Sequence, residues 1–152
     1  MSRFGFFAAL ALICAVVAGC GGSSGPNAQE KQFVAQANAI CAQELAVLNK
    51  TPEPTSPTQA IGYLPKALAI IQRQSTRLQA LSVPASKRAE LEAALASGRQ
   101  LGVLLEGFLR KLHAGSFELA TFTQVQTQSV TLREQINAHF RQAGLASCLT
   151  SA

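Results

Sequence analysis

Residues 87–113, KRAELEAALASGRQLGVLLEGFLRKLH, decide how this chain folds. Leu91, Leu95, Leu101, Leu105, Phe108, Leu109 and Leu112 recur at helical spacing, which predicts one long amphipathic helix that needs partners to cover its apolar stripe. Glu90, Glu92, Arg99, Glu106 and Arg110 rule out a membrane span for this stretch. Ala94, Gly98 and Gly102 fall four apart, a stripe of small residues against which another helix backbone is expected to pack closely. The break at residues 82–86, SVPAS, offers Ser82 or Ser86 as a cap. Gly115 ends the helix, with Arg110, Lys111 and His113 gathered where positive charge suits a C-terminus.

The neighbouring segments repeat the pattern. After the tight turn at Gly115, with Ser116 as the expected cap, Leu119, Phe122, Val125, Leu132, Ile136, Phe140 and Ala143 mark a last helix. Its local propensity is weakened by Thr121, Thr123, Thr127 and Thr131, and Gly144 followed by Leu145 is its expected stop. On the other side, Ser56-Pro57-Thr58-Gln59 has the order of a helix start. Ile61, Leu64, Leu68, Ile71, Leu78 and Leu81 follow as a stripe interrupted by Ser75. Pro65 inside that stripe predicts a kink, or a helix that begins there. Residues 50–57 hold three prolines and read as a stiff loop. Before them, Asn27 with Glu30 predicts the start of a first helix, with Phe33, Val34, Ala37, Ile40, Cys41, Leu45 and Leu48 on its buried side. Four amphipathic helices with short turns predict an all-α, up-down-up-down four-helix bundle over residues 28–152.

The start of the chain has another character. Arg3 precedes an apolar run over residues 4–17, broken only by Gly5, and small residues then lead to a cysteine, the outline of a secretory signal. Val17, Ala18, Gly19 and Cys20 resemble the lipobox of bacterial lipoproteins residue for residue. The resemblance implies that residues 1–19 are a signal peptide cut before Cys20, that the Cys20 thiol carries a diacylglycerol, and that fatty acid such as palmitate also caps the new amino group. It further implies a protein anchored to the membrane through lipid on Cys20. The anchor would lie at the outer face of the cell membrane, or in the outer membrane of a two-membrane cell, since Gly21 rather than Asp follows. Residues 20–27 then form the lipidated cysteine and a flexible Gly/Ser tether.

With that reading the four cysteines separate. Cys14 leaves with the signal and Cys20 takes lipid, so Cys41 and Cys148 remain as an even pair in an oxidising compartment, where a disulfide is expected. Two buried free thiols are the alternative. The bond sits awkwardly in an ideal bundle, because Cys41 lies roughly 21 Å along the axis from the start of the first helix and the tail would have to fold back that far. The stretches Ala37-Asn38-Ala39-Ile40-Cys41 and Gly144-Leu145-Ala146-Ser147-Cys148 resemble a pattern in small helical-bundle lipoproteins of bacteria, and that resemblance brings no activity with it.

Chemistry is sparse. No Glu-x-x-His occurs for a metal in a bundle, and His113 and His139 stand roughly 36 Å apart along the last helix, so neither a metal nor any other cofactor is expected. Ser75 and Ser129 interrupt apolar stripes, and their hydroxyls are expected to bond back to the preceding turn. Glu44 falls close to the buried side of the first helix and is expected to be half-exposed. No catalytic residue is predicted, nor an enzyme. The net charge of +5, from 13 Lys and Arg against 8 acidic residues, is spread along the chain as solvated faces and is no nucleic-acid footprint. Two functions fit: a lipid-anchored domain that binds an envelope protein or polymer, or one that carries a small apolar ligand between splayed helices near Pro65. A cavity of a few hundred Å³ beneath Leu64 and Leu68 separates the second from the first.

Overall fold

The computed structural model describes residues 27–116 and 118–150. The expected signal peptide, Cys20 and nearly all of the tether lie outside the described residues. Within them are four helices, α1 Ala28–Leu48, α2 Pro57–Gln79, α3 Ala85–His113 and α4 Leu119–Ala143, and a closing 3₁₀ turn, Ala146–Cys148; no strand occurs among the described residues. The chain is an all-α four-helix bundle. Each helix packs on the next in chain order, and the 3₁₀ turn, more than α4 itself, closes the bundle against α1.

The helix ends follow local chemistry. Glu30 N–H donates to the Asn27 side chain at 2.8 Å, as expected at an N-cap, but the Glu30 carboxylate accepts from Ser86 Oγ instead of reaching back to Asn27. Ser56 caps α2 through Gln59 N–H, with Pro57 as the first helical residue. The helix therefore begins at Pro57 and runs unbroken through Pro65. Pro65 and Ile61 both lie exposed one turn apart, so the carbonyl that Pro65 leaves without a donor faces water. Two expected caps are not used. The N-cap of α3 is Pro84, with no side-chain bond, because Ser86 is turned to Glu30 on α1. Ser116 serves the end of α3, its backbone N–H and hydroxyl both donating to the Lys111 carbonyl, and Glu118 precedes α4. Gly115 (φ 66°) and Gly144 (φ 81°) adopt the left-handed conformation that ends a helix at low cost.

The buried faces are broadly those that periodicity marks, with one rotation. In α2 the core positions are Ala60, Leu64, Ala67, Ile70 and Leu78, while Ile61 is exposed. The alanines that share this face carry too little apolar signal to be weighed against Ile61 and Leu68. Leu119, at the first position of α4, is 73% exposed. Thr123, Thr127 and Thr131 lie on the outer side of α4, and each donates to the carbonyl four residues before.

Cys41 and Cys148 form a disulfide. The expected 21 Å fold-back is not needed, because the end of α4 meets α1 well inside its first half: a Cβ on Gly144 would stand 4.0 Å from Val34. From there the 3₁₀ turn climbs the remaining distance. Ser147 N–H donates to Asn38 Oδ1 at 2.8 Å, and buried Asn137 holds Thr150 through both its amide nitrogen (2.8 Å to the carbonyl) and its oxygen (3.0 Å from N–H). Two asparagine side chains thus satisfy backbone groups of the 3₁₀ turn and of the residues after it.

Candidate functional site

The core falls into two clusters. At the disulfide end, Phe33, Leu78, Leu91, Phe140 and Leu145 pack around the cystine. At the other end, Ala60, Leu64, Phe108 and Leu112 meet Phe122 and Val125, with the rings of Phe108 and Phe122 5.9 Å apart. Between these ends the wall mixes large side chains, among them Ile70, Ile71 and Leu101, with small ones, Ala67 and Ser75 on α2, Gly98 on α3 and Ser129 on α4. The small residues leave part of the interior unfilled. The result is a cavity of about 620 Å³ along the bundle interior, within the range of small-molecule sites. Its wall on α3 reaches from Ala94 to Phe108, roughly 21 Å at the helical rise, so it is long and narrow.

Gly98 is where the small-residue stripe departs from expectation. A Cβ added at Gly98 or at Gly102 would meet nothing within 4 Å, so no helix backbone approaches either residue. Gly98 is buried and lines the cavity instead of a close helix contact.

The cavity is bounded unequally. Glu44, one turn before the end of α1, is level with Arg73 and Arg77, so α1 stops near the middle of α2. Beside the first three turns of α2 the flank is covered by residues 49–56, and Asn49, Thr51, Pro52, Glu53 and Pro54 line the cavity there. The prolines stiffen this strap. Arg133 of α4, with a side chain 22% exposed, holds it through Nη1 to Glu53 Oε1 at 2.8 Å. Tyr63 stands beside the same pair: burial pushes its phenol above the ordinary value, and the Glu53 carboxylate adds to the shift.

Two polar atoms in the wall are buried without a partner, Ser129 Oγ and Arg133 Nε. They sit one turn apart on the same face of α4. Ser129 therefore does not bond back to the preceding turn, contrary to expectation, and its hydroxyl is left to whatever occupies the interior. Sequence reasoning singled out Ser129 as a polar residue in an apolar stripe. It did not single out Arg133, whose charge alone reads as solvated.

Glu44 is 3% exposed rather than half-exposed. Its carboxylate accepts from Arg73 Nε at 2.8 Å and Arg77 Nη1 at 2.9 Å. The Arg73 hydrogen bond, opposed by burial and supported by Arg77, holds the carboxyl below its ordinary value. This cluster fastens α1 to α2 outside the cavity and has the character of a structural clamp. His139 Nδ1 lies 2.8 Å from Glu90 Oε2 across α3 and α4, both half-exposed. No group of residues placed to hold a metal occurs among the described residues, and none of their helices is long and apolar enough to cross a membrane.

Comparison with family models, with curated proteins and with solved structures finds no match to this chain.

Proposed function

We propose that this chain is a lipid-anchored, extracytoplasmic, non-enzymatic binding protein that holds a small apolar ligand inside its helical bundle. The cavity carries the reading. Of the two functions that fit the sequence, a filled core would favour docking of an envelope protein or polymer, and the space between α2, α3 and α4 favours carriage of an apolar ligand. Of Leu64 and Leu68, beneath which that space was expected, Leu64 is part of its wall and Leu68 is not. Apolar side chains that face open space forgo packing contacts with one another. An apolar guest recovers the lost contacts, and a wall mostly of Leu, Ile, Ala and Phe suits such a guest better than water. Anchoring through Cys20 would hold the bundle within a tether's length of lipid, a ready source of apolar molecules.

The test is displacement of an apolar fluorescent dye from the purified protein, with Gly98→Phe as the blocked control. Saturable binding by the wild type and none by the variant, with helical content equal in both, is the expected result. Equal dye binding by both proteins would place the dye elsewhere and remove the support.

A further inference from the structure

A long apolar cavity with a pair of unpartnered polar atoms at one position along its wall does more than admit an apolar guest; it orients one. Resting on the cavity reading above, we propose that the ligand is a single-chain amphiphile with a carboxylate head, its chain along the helices and its carboxylate on Ser129 and Arg133.

The argument begins with the donors. Buried donors without partners carry a desolvation cost that an acceptor oxygen removes. Ser129 Oγ and Arg133 Nε are two such groups one turn apart, and both residues line the cavity. A carboxylate suits the pair because a guanidinium offers two parallel N–H groups along one edge, matched to its two oxygens. Glu53 holds Nη1, so Nε belongs to an edge of the fork that the strap does not occupy.

Charge points the same way. The chain carries a net +5, and the one acidic group shown bonded to Arg133 is Glu53, which is 66% exposed on the strap. A carboxylate reaching Nε would share the guanidinium with Glu53 or displace it. Displacement frees residues 49–56 from α4 at the flank where the cavity wall is loop and not helix. Head-group recognition and access to the interior thus meet at Arg133.

The experiment measures binding of hexadecanoic acid and of its methyl ester to the purified protein by native mass spectrometry and by dye displacement. Hexadecanoic acid is expected to bind one to one and about ten- to a hundredfold tighter than the ester, the range for a hydrogen-bonded charge. Arg133→Gln should remove that advantage, bringing the acid-to-ester ratio of affinities to about one. Glu53→Gln, which removes the competing carboxylate from an exposed position, should tighten binding of the acid. Acid and ester binding equally, both indifferent to Arg133→Gln, would overturn the head-group assignment while the cavity reading stands. Failure of both ligands and of the dye would overturn the cavity reading and this inference with it.

Discussion

Cys41 and Cys148 lie with Cα atoms 4.8 Å apart although 107 residues separate them in sequence, and both are fully buried. The bond joins the middle of α1 to the final turn. Closing a loop of that length is worth about 4–5 kcal/mol in the chain-entropy model, an upper figure because residual structure in the unfolded chain reduces it. Reduction under denaturing conditions should therefore lower the melting temperature clearly. Cys41→Ala and Cys148→Ala should each give the same loss, and the double variant no further loss. Additive losses in calorimetry would mean that the two side chains contribute separately and not as one bond.

Glu44 ties stability to pH. Its carboxyl is held below the ordinary value in the folded chain, chiefly by Arg73, so the folded state favours the ionised form. The stabilisation is present above the unfolded value of 4.5 and is lost as pH falls through the lower folded value. Denaturant midpoints measured from pH 7 downward should fall below about pH 5 in the wild type. Glu44→Gln should be less stable at pH 7 and show a shallower decline, the two curves converging in acid. An unchanged acid limb would show that other carboxylates set it.

Gly98 gives a prediction of the opposite sign. Alanine there meets no neighbouring atom within 4 Å and removes the conformational cost of glycine within a helix. Gly98→Ala should raise stability by about 0.5–1 kcal/mol. A loss in thermal unfolding would mean that the helices sit closer at Gly98 than the geometry shows.

Asn137 is the fastening of the tail. Asn137→Ala leaves the backbone groups of Thr150 without partners and should cost about 1–3 kcal/mol. Hydrogen exchange should accelerate at Thr150 and Leu149 and remain slow in α2 and α3.

Anchoring is tested at Cys20. Acyl chains contribute about 0.8 kcal/mol per buried methylene, and two or more hold a protein on a bilayer. Cys20→Ser should release the chain from membranes or leave it uncut. An unmodified Cys20 in the mass spectrum of the wild type would end the lipoprotein reading.

Much of the fold was legible in the sequence because its ends are written in local chemistry. Asn27, Ser56-Pro57, Gly115 and Gly144 each act within one turn, and the pairing of Cys41 with Cys148 was the expectation once Cys14 and Cys20 were set aside. What escaped depends on distances between elements. Ala94, Gly98 and Gly102 read as a seam, whereas a Cβ at Gly98 or Gly102 meets nothing within 4 Å, a spacing that no residue of α3 fixes by itself. Glu44 looked half-exposed because Arg73 and Arg77 are some thirty residues away in sequence and meet it only once α2 has folded back. Arg133 gave no signal of its own, since the partner that marks it, Glu53, lies in a loop 80 residues earlier.

The cystine also sets how the molecule bears tension. Everything between residues 41 and 148 lies in one covalent ring, and of α1 only residues 28–40 stand outside it. A pull between the two ends of the chain travels through those first turns, crosses at sulfur and leaves by the tail. Leu45 and Leu48, with all of α2, α3 and α4, are off the line of load. Under tension on its N-terminus the chain can therefore fray as far as Cys41 while the backbones of α2, α3 and α4 stay off the line of load.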